Sequence, residues 1–433
     1  MPRFLSLLCL ALVATPVHAQ TYTIVDLGTL GGPASQAHGM NAQGWVVGES
    51  VDENGQDHAF VYHDGHMTDL GLAGSLSAAR SVNDAGQIGG YYYGKGYVAF
   101  RTTDQKVTDL GTLGSAYSMA YAINASGHTA GCSYTVDARE HAFLWDGHAM
   151  SDLGTLGGSY SQAFGVNATD LVVGYAYLAN GMYHAFSGRT SGLTDLGTLG
   201  GAYSAANAVN DAGQIVGYAC VQGNVKQHAC LWLAGTAHDL GDLGGLYSDA
   251  IALDGSGTHI VGRASVPMQS GYLSYHAFLW SDGAMRDLND LVPQGSGWVL
   301  EEAVGINDAG QIVGSGTHSG QHRAFLLQPS ATPVAAQNPL PGSLALSGAL
   351  PNPARNSARF SYALPRPGQV SIRVLDVSGR LVRDLVHESK PAGAYEVTWN
   401  LADDGSRRVG SGVYYARLQL GSDTRTTTVQ VLR

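Results

Sequence analysis

Between residues 22 and 328 the chain repeats one phrase pattern seven times, and the two ends of the repeated region are complementary halves of a single unit. An Asp-Leu pair recurs at Asp26, Asp69, Asp109, Asp152, Asp195, Asp239 and Asp287, spaced 40 to 48 residues apart. A His-Ala-Phe phrase recurs at His58, His141, His184, His228 and His276, with variant copies at Val98 and Arg323. An Asn-Asp-Ala-Gly phrase, clearest at Asn210 and Asn307, is echoed at Asn41, Asn83, Asn124, Asn167 and Asp254. A fixed period of this length marks stacked supersecondary units, none of which buries its apolar face alone.

Each unit reads as four short strands. In "SYSQAFGVNATDLVVGYAY" and the "HAFSG" and "LTDLG" that follow, alternation and β-branched and aromatic residues point to strands, punctuated by Gly, Asn and Asp. The Asn-Asp-Ala-Gly segments suit tight hairpin turns, because Asn tolerates left-handed geometry and Gly supplies positive φ. Four strands per 43-residue unit, with 59 glycines and only 13% charged residues in the chain, fit an all-β protein built as a β-propeller. The ends decide between a closed ring and an open solenoid. The repeats finish on "HRAFLLQPS" with no Asp-Leu strand after it, and begin on "TYTIVDLG" with no His-Ala-Phe strand before it. Pairing Tyr22 to Gly28 with Arg323 to Leu327 would complete a seventh blade and remove two exposed edges, whereas a solenoid needs atypical caps. The expectation is a seven-bladed propeller over 20–328, its first strand, with small Ala and Gly, nearest the axis.

The phrases "DLGTLGG", "INDAGQIVG" and "HAFLW" in fixed order, with the altered last unit from Leu288 to Gly314, resemble the bacterial extracellular HAF-repeat family. The resemblance implies export and no particular reaction.

Residues 329–350, rich in Pro, Ala and Ser, read as a linker. Beyond them, "ARFSYAL", "QVSIRVLDV", "RLVRDLV", "AYEVTWN", "VYYARLQL" and "TTTVQVL" predict a small β-sandwich over 351–433. "VLDVSGRLVRDL", "AGAYEVTW" and "GSGVYYARL" resemble the Ig-like domain of flagellar hook-capping proteins and the C-terminal sorting domains of the type IX secretion system. That resemblance implies structural roles for Asp376, Gly379, Trp399, Gly412 and Tyr414, and a tail that engages secretion machinery or attaches the protein to a surface. The two parts differ in charge. Residues 20–350 hold 10 Lys and Arg against 27 Asp and Glu, a net of −17, while 351–433 hold 12 against 7, a net of +5. An acidic main domain argues against nucleic acid as partner.

Arg3, the apolar run "FLSLLCLALVA" and the small-residue site at Val17 to Ala19 read as a secretory signal peptide over 1–19, cleaved between Ala19 and Gln20. No other stretch is long and apolar enough to span a bilayer, so the expected mature chain is exported without a transmembrane segment. In an oxidising compartment Cys220 and Cys230, which flank a short loop, could pair, with Cys132 left as a small buried residue.

No catalytic, metal-binding or cofactor motif is present: no G-x-S-x-G, H-E-x-x-H, Walker loop, paired C-x-x-C or EF-hand pattern. "HDGH" at His63 to His66 sits where other units have a hairpin turn. The repeated His and Asp, present in nearly every unit, read as structural. What varies is the loop between second and third strands, which shares a face with the connection carrying "GGxYS". That face gathers Tyr91, Tyr92, Tyr93, Tyr97, Tyr134, Tyr177, Tyr183, Tyr272 and Tyr275, with Tyr117, Tyr160, Tyr203 and Tyr247 from the connections. Tyrosine has an apolar ring and a wet hydroxyl, which suit a glycan or an extracellular protein. The expected function is ligand binding by this face. The alternatives are an extracellular polysaccharide hydrolase or lyase, signalled by three or more inward acidic or His residues from different blades converging within hydrogen-bond reach, and a coat or spacer role.

Overall fold

The computed structural model describes residues 21–330 and 344–432, apart from 75, 104–105, 268–273, 348, 350–351, 356, 391–392 and 406. The leader with its cleavage site at Ala19 and Gln20, most of the linker, and Tyr272 lie outside the described residues. The chain divides into two units, 1–331 and 332–433. No helix among the described residues is long and apolar enough to cross a membrane.

In the first unit each repeat forms a four-stranded antiparallel sheet, and the described residues contain seven of them. Sheet 1 runs Gly31–Met40, Val46–Asp52, Asp57–His63 and His66–Asp69, in that spatial order. Sheets 2 to 6 repeat the order, starting at Ser77, Gly114, Gly157, Gly200 and Ser248. Sheet 7 takes Trp298–Ile306, Ile312–His318 and Gln321–Pro329, and its fourth strand is Tyr22–Asp26 from the other end of the unit. The seam thus closes as the complementary ends require, with register Tyr22↔Pro329 to Asp26↔Phe325. It includes Pro329, two residues past the expected partner stretch, and Leu27 N–H still donates to Ala324 O at 3.1 Å. The first strand of every sheet packs on the first strand of the next, and that of sheet 7 on that of sheet 1. The unit is a β-propeller, and its apolar cores lie between neighbouring sheets: Val47, Ala59 and Val61 of sheet 1 pack with Ala79, Val82 and Phe100 of sheet 2.

The repeated polar residues stitch these sheets together. The His-Ala-Phe alanine N–H donates to the buried serine of the next sheet's first strand, as in Ala59 to Ser77 Oγ at 2.9 Å. The same bond closes the ring from Ala324 to Ser35 Oγ at 3.1 Å. The Asn-Asp-Ala-Gly asparagine has two roles. Its Oδ1 accepts from its own turn, as Asn83 does from Gln87 N at 2.9 Å, and its Nδ2 donates to the next sheet's carbonyl, Asn124 O, at 2.9 Å. Asn41, Asn124 and Asn167 do likewise. In sheet 6 the residue is Asp254, which has no amide to donate, and Asp308 of sheet 7 reaches back to Gly255 N at 2.8 Å. The repeated His and Asp are structural as expected: His141 Nδ1 meets Asp152 at 2.9 Å and His184 Nδ1 meets Asp195 at 2.9 Å. Asp Oδ1 also accepts from the Gly two residues on, as in Gly154 N to Asp152 at 2.7 Å. In sheet 7 Arg323 replaces the motif histidine, and His318 supplies the contact to Asp26 at 3.2 Å.

One irregularity recurs in every sheet. The register of the first two strands slips between Ala37 and Gly39, Ala79 and Ser81, Ala120 and Ala122, and at the matching place in the other four sheets. Each slip is a β-bulge that leaves one extra residue unpaired and re-aims its side chain. It also explains the repeated glycine that ends "QIVG". A Cβ on Gly174 would stand 1.9 Å from Gln162 O and one on Gly217 2.0 Å from Ala205 O, so no side chain fits there.

The second unit has a three-stranded sheet (Ala345–Leu346, Ala358–Leu364, Gly393–Trp399) and a four-stranded sheet ordered Leu381–Lys390, Gly368–Leu375, Gly412–Leu420, Asp423–Val431. All six strands expected from the sequence are present. Leu344 and Ala349, inside the stretch assigned to the linker, are buried in this unit's cores, so its packing begins before residue 351. Trp399 is fully buried, donates from Nε1 to Ala402 O at 2.8 Å, and meets the Tyr414 ring edge-on at 5.3 Å. Asp376 caps its turn through Ser378 N and Arg380 N, and Gly379 supplies φ 83°.

Candidate functional site

The sequence-selected tyrosines come together as aromatic chains on the face where the first strands begin. Register places Gly31 opposite Asp52, so sheet-to-sheet connections and second-to-third-strand loops share this face. Tyr97 meets Tyr91, Tyr93 and Tyr117 at centroid distances of 5.6, 5.1 and 5.7 Å, and Tyr117 stacks on Tyr134 at 4.4 Å. In sheets 4 and 5, Tyr177 touches Tyr160 and Tyr183, and Tyr183 reaches Tyr203 at 4.9 Å. Tyr97–Tyr117 and Tyr183–Tyr203 are equivalent contacts between neighbouring sheets, so the "GGxYS" rings Tyr117 and Tyr203 serve packing. Tyr93, Tyr160 and Tyr247 keep 44%, 47% and 39% of their surface exposed.

Two of the sequence assignments need correction. Tyr92 packs against the apolar core beside Phe100, because successive strand residues point to opposite faces and only Tyr91 and Tyr93 share the face that meets Tyr97. Cys220 and Cys230 are both free thiols. Register sets Cys220 opposite Gln227 and Cys230 opposite Gly217, an odd offset that puts their side chains on opposite faces, where no disulfide can form. Cys132 is buried, as expected. Tyr275 lies under the Arg263 guanidinium at 5.5 Å. His63 of the "HDGH" turn stacks on Trp45 at 4.4 Å.

A second site was missed from sequence. The ring encloses a chamber of about 590 Å³ whose lining residues all belong to the first strands. The seven bulges aim His38, Arg80, Tyr121, Phe164, Asn207, Ile251 and Val304 toward it, one per sheet. Asp249 and Glu302, two residues before the bulge in sheets 6 and 7, join them. One aliphatic side chain per sheet, from Met40 in sheet 1 to Ile306 in sheet 7, forms a collar below. A second cavity of about 280 Å³, lined by the asparagine turns, lies beyond it.

The chamber walls differ in chemistry. Arg80 Nη1 stands 3.3 Å from both His38 ring nitrogens, and its guanidinium lies 5.5 Å over Tyr121. Tyr121 meets Phe164 edge-on at 5.4 Å. Asn207 Nδ2 donates to Asp249 at 2.7 Å, and Arg263, from the second strand of sheet 6, donates to Glu302 at 3.1 Å. Burial, reinforced by Arg80, holds the His38 imidazole below its ordinary range, which favours the neutral ring. Burial raises the Asp249 carboxyl from 3.8 to about 6 against the opposing pull of Arg263 and Asn207. His38, Asp249 and Glu302 are therefore three inward ionisable groups from different sheets. Among the described residues no hydrogen bond or ion pair joins any two of them; each is held by Arg, Asn or a residue of its own sheet. Three His, Cys, Asp or Glu residues placed to hold a metal ion are not found together among the described residues.

No family model matches the chain, and no curated protein matches it. Solved structures give distant likenesses. A puromycin-hydrolysing peptidase of Mycobacterium tuberculosis is 13% identical at a TM-score of 0.45, covering 79% of this chain and 61% of its own. The chain thus spans about three fifths of that peptidase. YCF48 bound to D1 peptide is 12% identical at 0.42, covering 73% and 97%, and the β-propeller domain of the Trilobed protease from Pyrococcus furiosus is 9% identical at 0.34, covering 83% and 95%.

Proposed function

We propose that the chain is an exported seven-bladed β-propeller of the HAF-repeat kind that binds a glycan through its tyrosine-rich face, with an Ig-like tail for sorting or surface attachment. The observation that carries this reading is the uneven set of exposed rings, Tyr93, Tyr160 and Tyr247, beside loops that differ in every repeat. Tyr93 and Tyr160, half-exposed and held by the Tyr97 and Tyr177 rings, lose little freedom on binding and offer their open faces to a sugar's C–H surface. Several weak contacts along one polymer then add by avidity.

The test is retention of the full chain on a polysaccharide and glycan array, compared with a Tyr93→Ala/Tyr160→Ala double variant of unchanged melting temperature. Loss of at least tenfold in retention is expected, and equal retention would refute the face as the site. The enzyme reading draws on His38, Asp249 and Glu302 in the chamber. Release of sugar from the array wells, abolished in His38→Gln, would put it ahead.

A further inference from the structure

We infer that the central chamber is a pocket for the terminal hexuronate of a glycan chain, its ring held against Tyr121 and Phe164 and its carboxylate by Arg80. This deepens the proposed glycan reading and rests on it for the wider class of ligand, but it assigns a site of its own.

Comparison of the repeats within this one chain singles out the chamber. On the first strand, the alanine before the bulge and the aliphatic residue two positions after it recur in all seven sheets, and the serine and asparagine in most. The bulge residue does not recur: it is His38, Arg80, Tyr121, Phe164, Asn207, Ile251 and Val304 in turn. A position with a purely structural duty in every sheet would repeat as its neighbours do. The geometry supplies the rest, since a bulge lifts its residue out of the ladder and turns it toward the enclosed space.

The chemistry of the walls selects the ligand. Tyr121 and Phe164, on neighbouring sheets, form an aromatic wall. Asn207, Asp249, Glu302, His38 and Arg80 follow around the remaining sheets and offer hydrogen-bonding groups of both signs. A pyranose ring has the same division, with a C–H face that stacks on aromatics and an equatorial rim of hydroxyls. Arg80 adds the carboxylate. It makes no ion pair among the described residues, whereas Arg263 is paired with Glu302; Glu49, whose carboxyl feels the Arg80 charge, contacts His38 instead, so the Arg80 fork of N–H donors has no acid of the protein in direct contact. Charge also fixes the mode of entry. With a net of −17 on residues 20–350, the propeller repels a polyanion laid along it. One carboxylate at a chain end meets Arg80 without that cost, and the aliphatic collar limits the depth to which it enters.

The probes are methyl β-glucuronide and methyl β-galacturonide, each against its neutral glycoside, titrated into the full chain by ligand-observed NMR. A preference of at least tenfold for the acidic member of one pair is expected, lost in Arg80→Gln and partly kept in Arg80→Lys. Phe164→Leu should weaken both members of the pair together. Equal binding of acidic and neutral glycosides, or a preference that survives Arg80→Gln in a protein of unchanged melting temperature, overturns the assignment. Array retention that persists without any glycoside binding overturns the pocket and leaves the tyrosine face standing. Uronide binding that is insensitive to Tyr93→Ala/Tyr160→Ala, in a chain that fails on the array, sustains the pocket and removes the face.

Discussion

Asp249→Asn replaces the chamber carboxyl that burial moves furthest, and its effect on stability has a defined sign. In the folded protein the group is raised from 3.8 to about 6, chiefly because burial penalises the carboxylate; Arg263 and the Asn207 amide oppose this, and Glu302 adds to it. Below about pH 4 the carboxyl is protonated in both folded and unfolded chains and contributes no pH dependence. Between about pH 4 and 6 the unfolded chain ionises first, so wild-type stability falls as pH rises, and above about 6 the loss is complete. A displacement of about two pH units, at about 1.4 kcal/mol each, puts the loss near 3 kcal/mol. His38, held below its ordinary range, acts in the opposite sense, since its contribution is lost as pH falls below its unfolded value. The informative quantity is therefore the difference between variant and wild type, in which the remaining groups cancel. Urea unfolding of the first unit's transition, measured at several pH values from about 4 to 7.5, should show Asp249→Asn gaining about 3 kcal/mol on wild type across that range. A difference that stays within about 0.5 kcal/mol at every pH would refute burial as the dominant influence. A difference of opposite slope would mean that Arg263 and Asn207 outweigh it.

Two further outcomes test the ring itself. Tyr22 is 1% exposed within a core that includes Leu288, Leu291 and Leu327, and it sits on the strand that closes the seam. Tyr22→Ala should destabilise the first unit by about 3–5 kcal/mol in denaturant unfolding while leaving the second unit's transition in place; a change under about 1 kcal/mol would mean the closing strand is dispensable. Asn83→Ala strips the acceptor for Ala85 N and Gln87 N and the donor to Asn124 O, at a cost of about 2–4 kcal/mol. Asn83→Asp keeps the turn cap but removes the Nδ2 donations to Asn124 O and Gln87 Oε1, Asp254 being the natural acid at this position, so it should cost less than Asn83→Ala; equal losses would show that the turn cap contributes nothing.

How much was legible can be judged residue by residue. The seven-fold phrases, their strand pattern and the unmatched ends at "TYTIVDLG" and "HRAFLLQPS" were enough to place the first strand at the centre and the N-terminal strand on sheet 7. These are consequences of local alternation and turn chemistry, which a linear sequence displays. The repeated His and Asp were recognisable as structural for the same reason, and the six strands of the tail likewise. Tyr92 was misplaced because three consecutive tyrosines hide which one points inward until the strand's register is set. The Cys220 and Cys230 pairing failed on the same point, since a loop length says nothing about facing.

The chamber was invisible for a different reason. His38, Arg80, Asn207, Asp249 and Glu302 are spread over 265 residues of chain and occupy slots that a repeat alignment discounts as noise. A bulge has no residue signature of its own beyond the glycine opposite, so its power to re-aim a side chain is apparent only when two strands are paired. By itself the sequence determined the unit, the number of units and how the ends meet, because those follow from short-range patterns repeated in register. Only the tertiary structure decided which side chains share a space, because closure of the ring turns seven distant slots into neighbours around one axis.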